Sequence, residues 1–136
     1  NAPPQVSYAR GRAMTLFRGA TSAVVLAHLA RCAPDVVEEL ARCHRAELQA
    51  SGLPTGWSEL ELLLARLRRQ RVCTSAGEVD AGALGWAAAI HLGTRVLGSL
   101  SVVLWNQAPG IVDTRRIGDE VARAALRIEG LLGRGR

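Results

Sequence analysis

The chain has no lysine: all 17 of its basic residues are arginine. Nothing chemical requires arginine at every cationic position of a fold, so this reads as the bias of a GC-rich genome. Aromatic residues are scarce too, at 4%. The core must therefore be built from Leu, Val, Ile and Ala. One Phe and one Tyr, with no RNP motif, exclude a base-stacking platform for nucleic acid. Cysteine occurs three times, at Cys32, Cys43 and Cys73, an odd count with no CxxC pair. That excludes a disulfide framework and fits a reduced, cytoplasmic setting. No apolar run reaches the roughly 18 residues of a membrane-spanning helix. The start, "NAPPQ", is polar and Pro-rich rather than a signal peptide, and residues 1–5 read as a cloning scar or linker.

What is present is enough for one domain. At 136 residues, 49% of them hydrophobic, folding can remove about two-thirds of the surface of the unfolded chain from water. The net charge of +5 is spread along the chain among 12 acids, a distribution that speaks to solubility more than to a site. The densest cluster, Arg66, Arg68, Arg69 and Arg71, falls at a predicted helix end. There each charge meets the helix dipole favourably, by about 0.3–1 kcal/mol, and this reading is preferred to a phosphate patch.

The pattern predicts an α+β domain over residues 6–132, with 133–136 a frayed tail. "QVSYAR" reads as a short strand and "MTLFRG" as a second extended piece. "ATSAVVLAHLA" is apolar on nearly every side and predicts a buried helix to about Ala30, with Thr21 or Ser22 as N-cap. Pro34 suits a first helical position, with Asp35, Glu38 and Glu39 behind it. Val36, Val37, Leu40, Ala41 and Leu48 form the apolar stripe of that second helix, which ends before the loop "SGLPTG". Ser58 and Glu61 make an S-x-x-E capping box for a third helix carrying Leu60, Leu63, Leu64 and Leu67 and stopping near Gln70. "RVCT" predicts a brief strand and "SAGEVDAGALG" a Gly-rich loop. Gly93-Thr94 suits a two-residue type II′ hairpin turn. On the return strand Val96, Gly98, Leu100, Val102 and Leu104 share the core face. Leu97, Ser99, Ser101, Val103 and Trp105 share the other, which is either wet or lines a cavity. After the loop "NQAPGIV", Asp113 or Thr114 caps a last helix with the stripe Ile117, Val121, Ala124, Ala125, Ile128 and Leu132. Such an element order gives an antiparallel sheet covered by helices.

Chemistry-bearing patterns are sparse. His28 and Cys32 lie four apart, with Cys43 and His44 further on, but no zinc-like spacing occurs and no metal is expected. Ser22 lacks a G-x-S-x-G elbow, Cys73 has no His in its own segment, and Glu78 and Asp80 read as solvated loop carboxylates. There is no GxGxxG and no P-loop. The expectation is a protein that is not an enzyme and needs no cofactor.

Three segments in order resemble the C-terminal effector-binding domain of IclR-family transcriptional regulators. In "GRAMTLFRGATSAVVLAHLA" the residues Leu16, Ala20, Leu26, Ala27, His28 and Leu29 match the family pattern. In "LLARLRRQRVCTSAGEVDAGALGWAAAI" the matches are Glu78, Gly82, Ala87 and Ala88. In "RVLGSLSVVLW" they are Leu100, Ser101 and Val102. The resemblance spans about Val6 to Leu132 and implies a GAF-like fold that senses a small-molecule effector, of carboxylate type. It implies effector contacts at Met14, Ala20, Thr21, Ser22, Ser75, Gly85, Ser99, Ser101 and Val103. It also implies a homodimer or tetramer, no membrane partner, and DNA binding only through a winged helix-turn-helix domain outside this sequence. The family's first effector-domain helix and strands are not found, so the chain reads as a sensor fragment. Several positions depart from the family: Ser22-Ala23 stands for Gly-Lys, Phe17 for His, Gly85 for Cys, Ser75 for an acid and Val103 for a strand serine. Trp86 and Trp105 add bulk, so the implied pocket is more apolar. A ligand-free dimerisation module of the same fold is the alternative.

Overall fold

The computed structural model describes residues 20–76, 82–105 and 113–134. The expected strand at Gln5–Arg10 and the extended piece at Met14–Gly19 lie outside them, as do Glu78 and Asp80. The elements run α1 (Ala20–Cys32), α2 (Pro34–Cys43), α3 (Arg45–Ala50), α4 (Trp57–Arg69), β1 (Cys73–Ala76), β2 (Ala83–Leu92), β3 (Arg95–Trp105) and α5 (Thr114–Arg134). The three strands form an antiparallel sheet in the order β1-β2-β3. The α+β class expected from the sequence is the observed one. Among the described residues no helix is long and apolar enough to cross a membrane.

Local signals place several boundaries. Pro34 sits at the start of α2, as its fixed φ and missing N–H allow. Gly93 adopts φ +63° between β2 and β3, a backbone that favours glycine, so the hairpin turns where expected. The Asp113 carboxylate accepts from the Arg116 N–H at 3.0 Å and caps α5.

Other expectations are corrected. α1 already includes Thr21 and Ser22, so neither is its N-cap. The second helix is split at His44 into α2 and α3. Val36 is exposed, because Val37 and Ala41 hold the buried face. No side chain caps α4: Gly56 takes the cap position with extended backbone, which moves Ser58 inside the helix. β1 lies two residues later than "RVCT", because pairing with β2 extends it through Ser75 and Ala76. Leu132 is exposed, since α5 runs past the sheet that its middle covers.

Packing explains why α1 is apolar all round. One flank lies on the sheet, where Val24 meets Cys73 and Ala87. The other flank carries Leu26, Ala27 and Ala30 into a cluster with Val37, Ala41, Leu48, Leu60 and Leu64. The opposite sheet face packs Leu84, Trp86 and Ala88 against Val121 and Ala125 of α5. β2 is thus covered on both faces, and its Gly-Trp-Ala-Ala-Ala run sets one large side chain among small ones. Trp86 is 2% exposed and donates its Nε1–H to the Thr114 carbonyl at 3.1 Å, fixing the start of α5. Trp86 thus packs in the core on the α5 side, and the expectation that it adds bulk to the effector pocket is corrected, since it lies on the opposite face of the sheet from Gly85 and Ala87.

Candidate functional site

Strand register decides which expected site residues meet. Ser75 pairs with Gly85 and Gly85 with Val103, a row across all three strands. The next row on that face is Cys73, Ala87 and Ser101, and the next pairs Ala89 with Ser99. Paired residues point to one side of a sheet, and Cys73 and Ala87 meet Val24. Ser75, Gly85, Ser99, Ser101 and Val103 therefore share the α1 side.

α1 follows β2 in direction. Val24 stands over Ala87, His28 reaches His91, and the Cys32 thiol donates to the Thr94 carbonyl at 2.8 Å. One helical turn back from Val24 is about 5.4 Å, close to two strand residues, about 6.6 Å. The first turn of α1, Ala20 to Ala23, thus begins at the level of the Ser75–Gly85–Val103 row. It contains no acidic residue. Its leading N–H groups have no partner within the helix, as at any helix start.

Burial across this face is uneven. Gly85 is buried, and Ser75 and Ser99 are half-buried. Ser101 is exposed and Val103 is 49% exposed. The expectation of a sheltered hydroxyl at position 101 is corrected: α1 lies along β2, and Ser101 is one strand further out. Met14 lies outside the described residues, and for Ala20, Thr21 and Ser22 only the helical backbone is described.

A second polar constellation was not anticipated. The His91 ring accepts or donates at both nitrogens: Nδ1 is 3.1 Å from Glu129 Oε2 and Nε2 is 2.9 Å from His28 Nδ1. Its backbone N–H also donates to Glu129 Oε2, at 2.5 Å. The line joins α1 and α5 around the edge of β2. Burial, then the charges of His91, Arg68 and Arg31, lowers His28 to about 4, so it is neutral at pH 7. Sequence spacing hides this line, for its members are 63 and 38 residues apart. The one local signal was Glu129, which continues the i, i+4 row of Val121 and Ala125.

β1 starts opposite Ala87, so among the described residues no strand lies beyond Ala88 to Leu92 on that edge. A cavity of about 180 Å³ opens there. His28, His91, Glu129, Arg68, Arg69 and Arg71 line it, over a floor of Ala88, Ala89, Ala122 and Ala125. Arg68 donates from Nη1 to the Ala27 carbonyl at 2.8 Å. Among the described residues none of these three arginines has an acidic partner; the ion pairs are Arg42–Glu39, His91–Glu129 and Arg123–Glu120. No group of three or more His, Cys, Asp or Glu is placed to hold a metal among the described residues. The buried Cys73 thiol is pushed up by desolvation, which suits an inert core residue.

No family model and no curated protein matches the sequence. Solved structures do. The C-terminal domain of a protein assigned as a transcriptional regulator in Vibrio cholerae is 26% identical, with a TM-score of 0.59 over 85% of this chain and 64% of that one. A protein assigned as an IclR transcriptional regulator in Silicibacter sp. TM1040 is also 26% identical, with a TM-score of 0.58 over 88% of this chain and 46% of that one. The transcriptional regulator YaiJ is 21% identical, with a TM-score of 0.71 over 90% of this chain and 68% of that one. The chain thus spans between about half and two-thirds of the length of the structures it matches. These neighbours are described as regulators of transcription. In fold and in the order of its elements, the chain is similar to the C-terminal domains of IclR-type transcriptional regulators.

Proposed function

We propose that this domain senses a small carboxylate-type metabolite for a cytoplasmic regulator of transcription. The DNA-binding winged helix-turn-helix lies in another part of the full protein. The effector sits on the α1 side of the sheet, at the Ser75–Gly85–Val103 row where α1 begins. The observation that carries the reading is the convergence of those three residues with an acid-free helix start. Free amides and the helix dipole favour an anion at such a place, and Gly85 puts no side chain there. Ser99 contributes a hydroxyl that donates or accepts, and the exposed Ser101 lies at the rim. Binding shifts an equilibrium between arrangements of a dimer or tetramer, and so the spacing of the DNA-binding heads.

Thermal melting against a panel of aliphatic and aromatic carboxylates tests this. An effector at 100 times its dissociation constant adds about 2.7 kcal/mol of stability, a rise of several degrees. Ser101→Leu and Val103→Trp, both at exposed positions, should abolish that rise without lowering the ligand-free midpoint much. If no acid moves the midpoint, or if both variants respond like the parent, the sensor reading is lost.

The second reading, a ligand-free dimerisation module, has its own observation. Leu126, Leu131 and Leu132 are exposed along α5, at 55, 64 and 40%. Light scattering that shows a stable dimer, dissociated by Leu131→Glu, together with no ligand response, would favour it.

A further inference from the structure

We propose that the hollow beside Ala88–Leu92 of β2 is a second anion site, taking a small organic acid of about the size of benzoate. It lies at the opposite end of β2 from the sheet-face site, and does not depend on it.

The hollow is a fitted arrangement of charge over an apolar floor. Arg68, Arg69 and Arg71 converge on it from the end of α4 and the segment after it. Compensation of the helix dipole accounts for Arg66, Arg68 and Arg69 as last-turn residues, but not for Arg71, which lies beyond the helix. The one acid on the wall, Glu129, already accepts the His91 backbone N–H and lies 3.1 Å from the His91 ring Nδ1. Its charge is turned toward the histidine, and His28 is neutral. Three guanidinium groups against one carboxylate leave an excess of two positive charges. An arginine fork matches a carboxylate in two parallel hydrogen bonds.

Size and floor select the rest of the ligand. A dry cavity of about 150 Å³ takes up benzene, and this one measures about 180 Å³. A bare oxyanion would leave the floor of Ala88, Ala89, Ala122 and Ala125 uncovered. An acid with a compact apolar body covers the floor and places its charge at the arginine rim. Because α1 and α5 both wall the hollow through His28, His91 and Glu129, an occupant touches both helices.

Calorimetric titration of the chain with benzoate, cyclohexanecarboxylate, benzamide and inorganic phosphate is the test. The two acids should bind, while the neutral amide and phosphate bind at least roughly tenfold more weakly, since each lacks the charge or the apolar body. Arg69→Gln and Arg71→Gln change exposed residues and should each weaken the acids by roughly tenfold. Imidazole proton resonances of His28 and His91 should shift on acid binding, and Ser101→Leu should leave that shift in place. Those two readouts separate this site from the sheet-face site. The proposal is overturned if neither acid binds in the millimolar range, if benzamide or phosphate binds as well as the acids, or if both arginine variants bind normally. Acid binding that leaves the two imidazoles unmoved would overturn it equally.

Discussion

His28 is a base that the fold keeps uncharged. Its folded value of about 4 lies below the ordinary 6.5, so the unfolded chain takes up the proton first as pH falls. The sign follows from linkage: the contribution to stability is complete above about pH 6.5 and is lost as pH drops toward 4. The groups that face His28 are His91 and Glu129 across the sheet edge, with Arg68 from α4 and Arg31 one turn along α1. Glu39, held below the usual carboxylate range by its hydrogen bonds to Arg42, also loses its contribution as pH falls, but from about its ordinary value of 4.5 downward, at the acid end of the His28 window. We expect the melting midpoint to be flat above neutrality and to decline between pH 6.5 and 4. The decline should be shallower in His28→Gln. An equally steep decline in that variant would show that other groups carry it. No polar residue is fully buried among those described, which keeps the histidine line within reach of water.

At the scale of elements, what could be read in the sequence depended on how local its cause is. Gly93 in the turn, Asp113 at the start of α5 and Pro34 at the start of α2 act on their own backbone, and each stands where the sequence places it. The capping box failed because α4 starts two residues earlier than a Ser58 cap requires: Gly56 takes the cap position and Ser58 lies inside the first turn. β1 was set too early because Ser-Ala-Gly resembles a turn, whereas pairing with Ala83–Leu92 carries the strand onward, a tertiary choice that overrides local preference. The candidate site divides the same way. Alternation along β3 placed Ser99, Ser101 and Val103 on one face, but only α1's path along β2 decides that Ser101 stands in the open. Asp113→Ala should cost about 1 kcal/mol in denaturant unfolding through loss of the bond to Arg116. Trp86→Ala should cost about 3–5 kcal/mol, because it empties the contact between β2 and α5. If Trp86→Ala were as mild as Asp113→Ala, the two-sided burial of β2 would be wrong.

For the whole molecule, α1 is the element common to the helical cluster and the sheet. Leu26, Ala27 and Ala30 belong to one and Val24 to the other. The two halves should therefore melt in a single transition, with far-ultraviolet circular dichroism and tryptophan fluorescence giving the same midpoint. Trp57 stands in the helical half and Trp86 in the sheet half, so non-coincident curves would be visible and would show the halves to be separable. Cutting the backbone within the Ser51–Gly56 loop would carry the point further. The piece bearing the strands would keep its hairpin yet leave a slot vacant where Val24 had been, while the piece bearing α1 would have a greasy flank and nothing to lay it on. Neither could stand alone, and mixing them should restore a complex at one-to-one stoichiometry, a natural split reporter whose reassembly reads out the integrity of that helix.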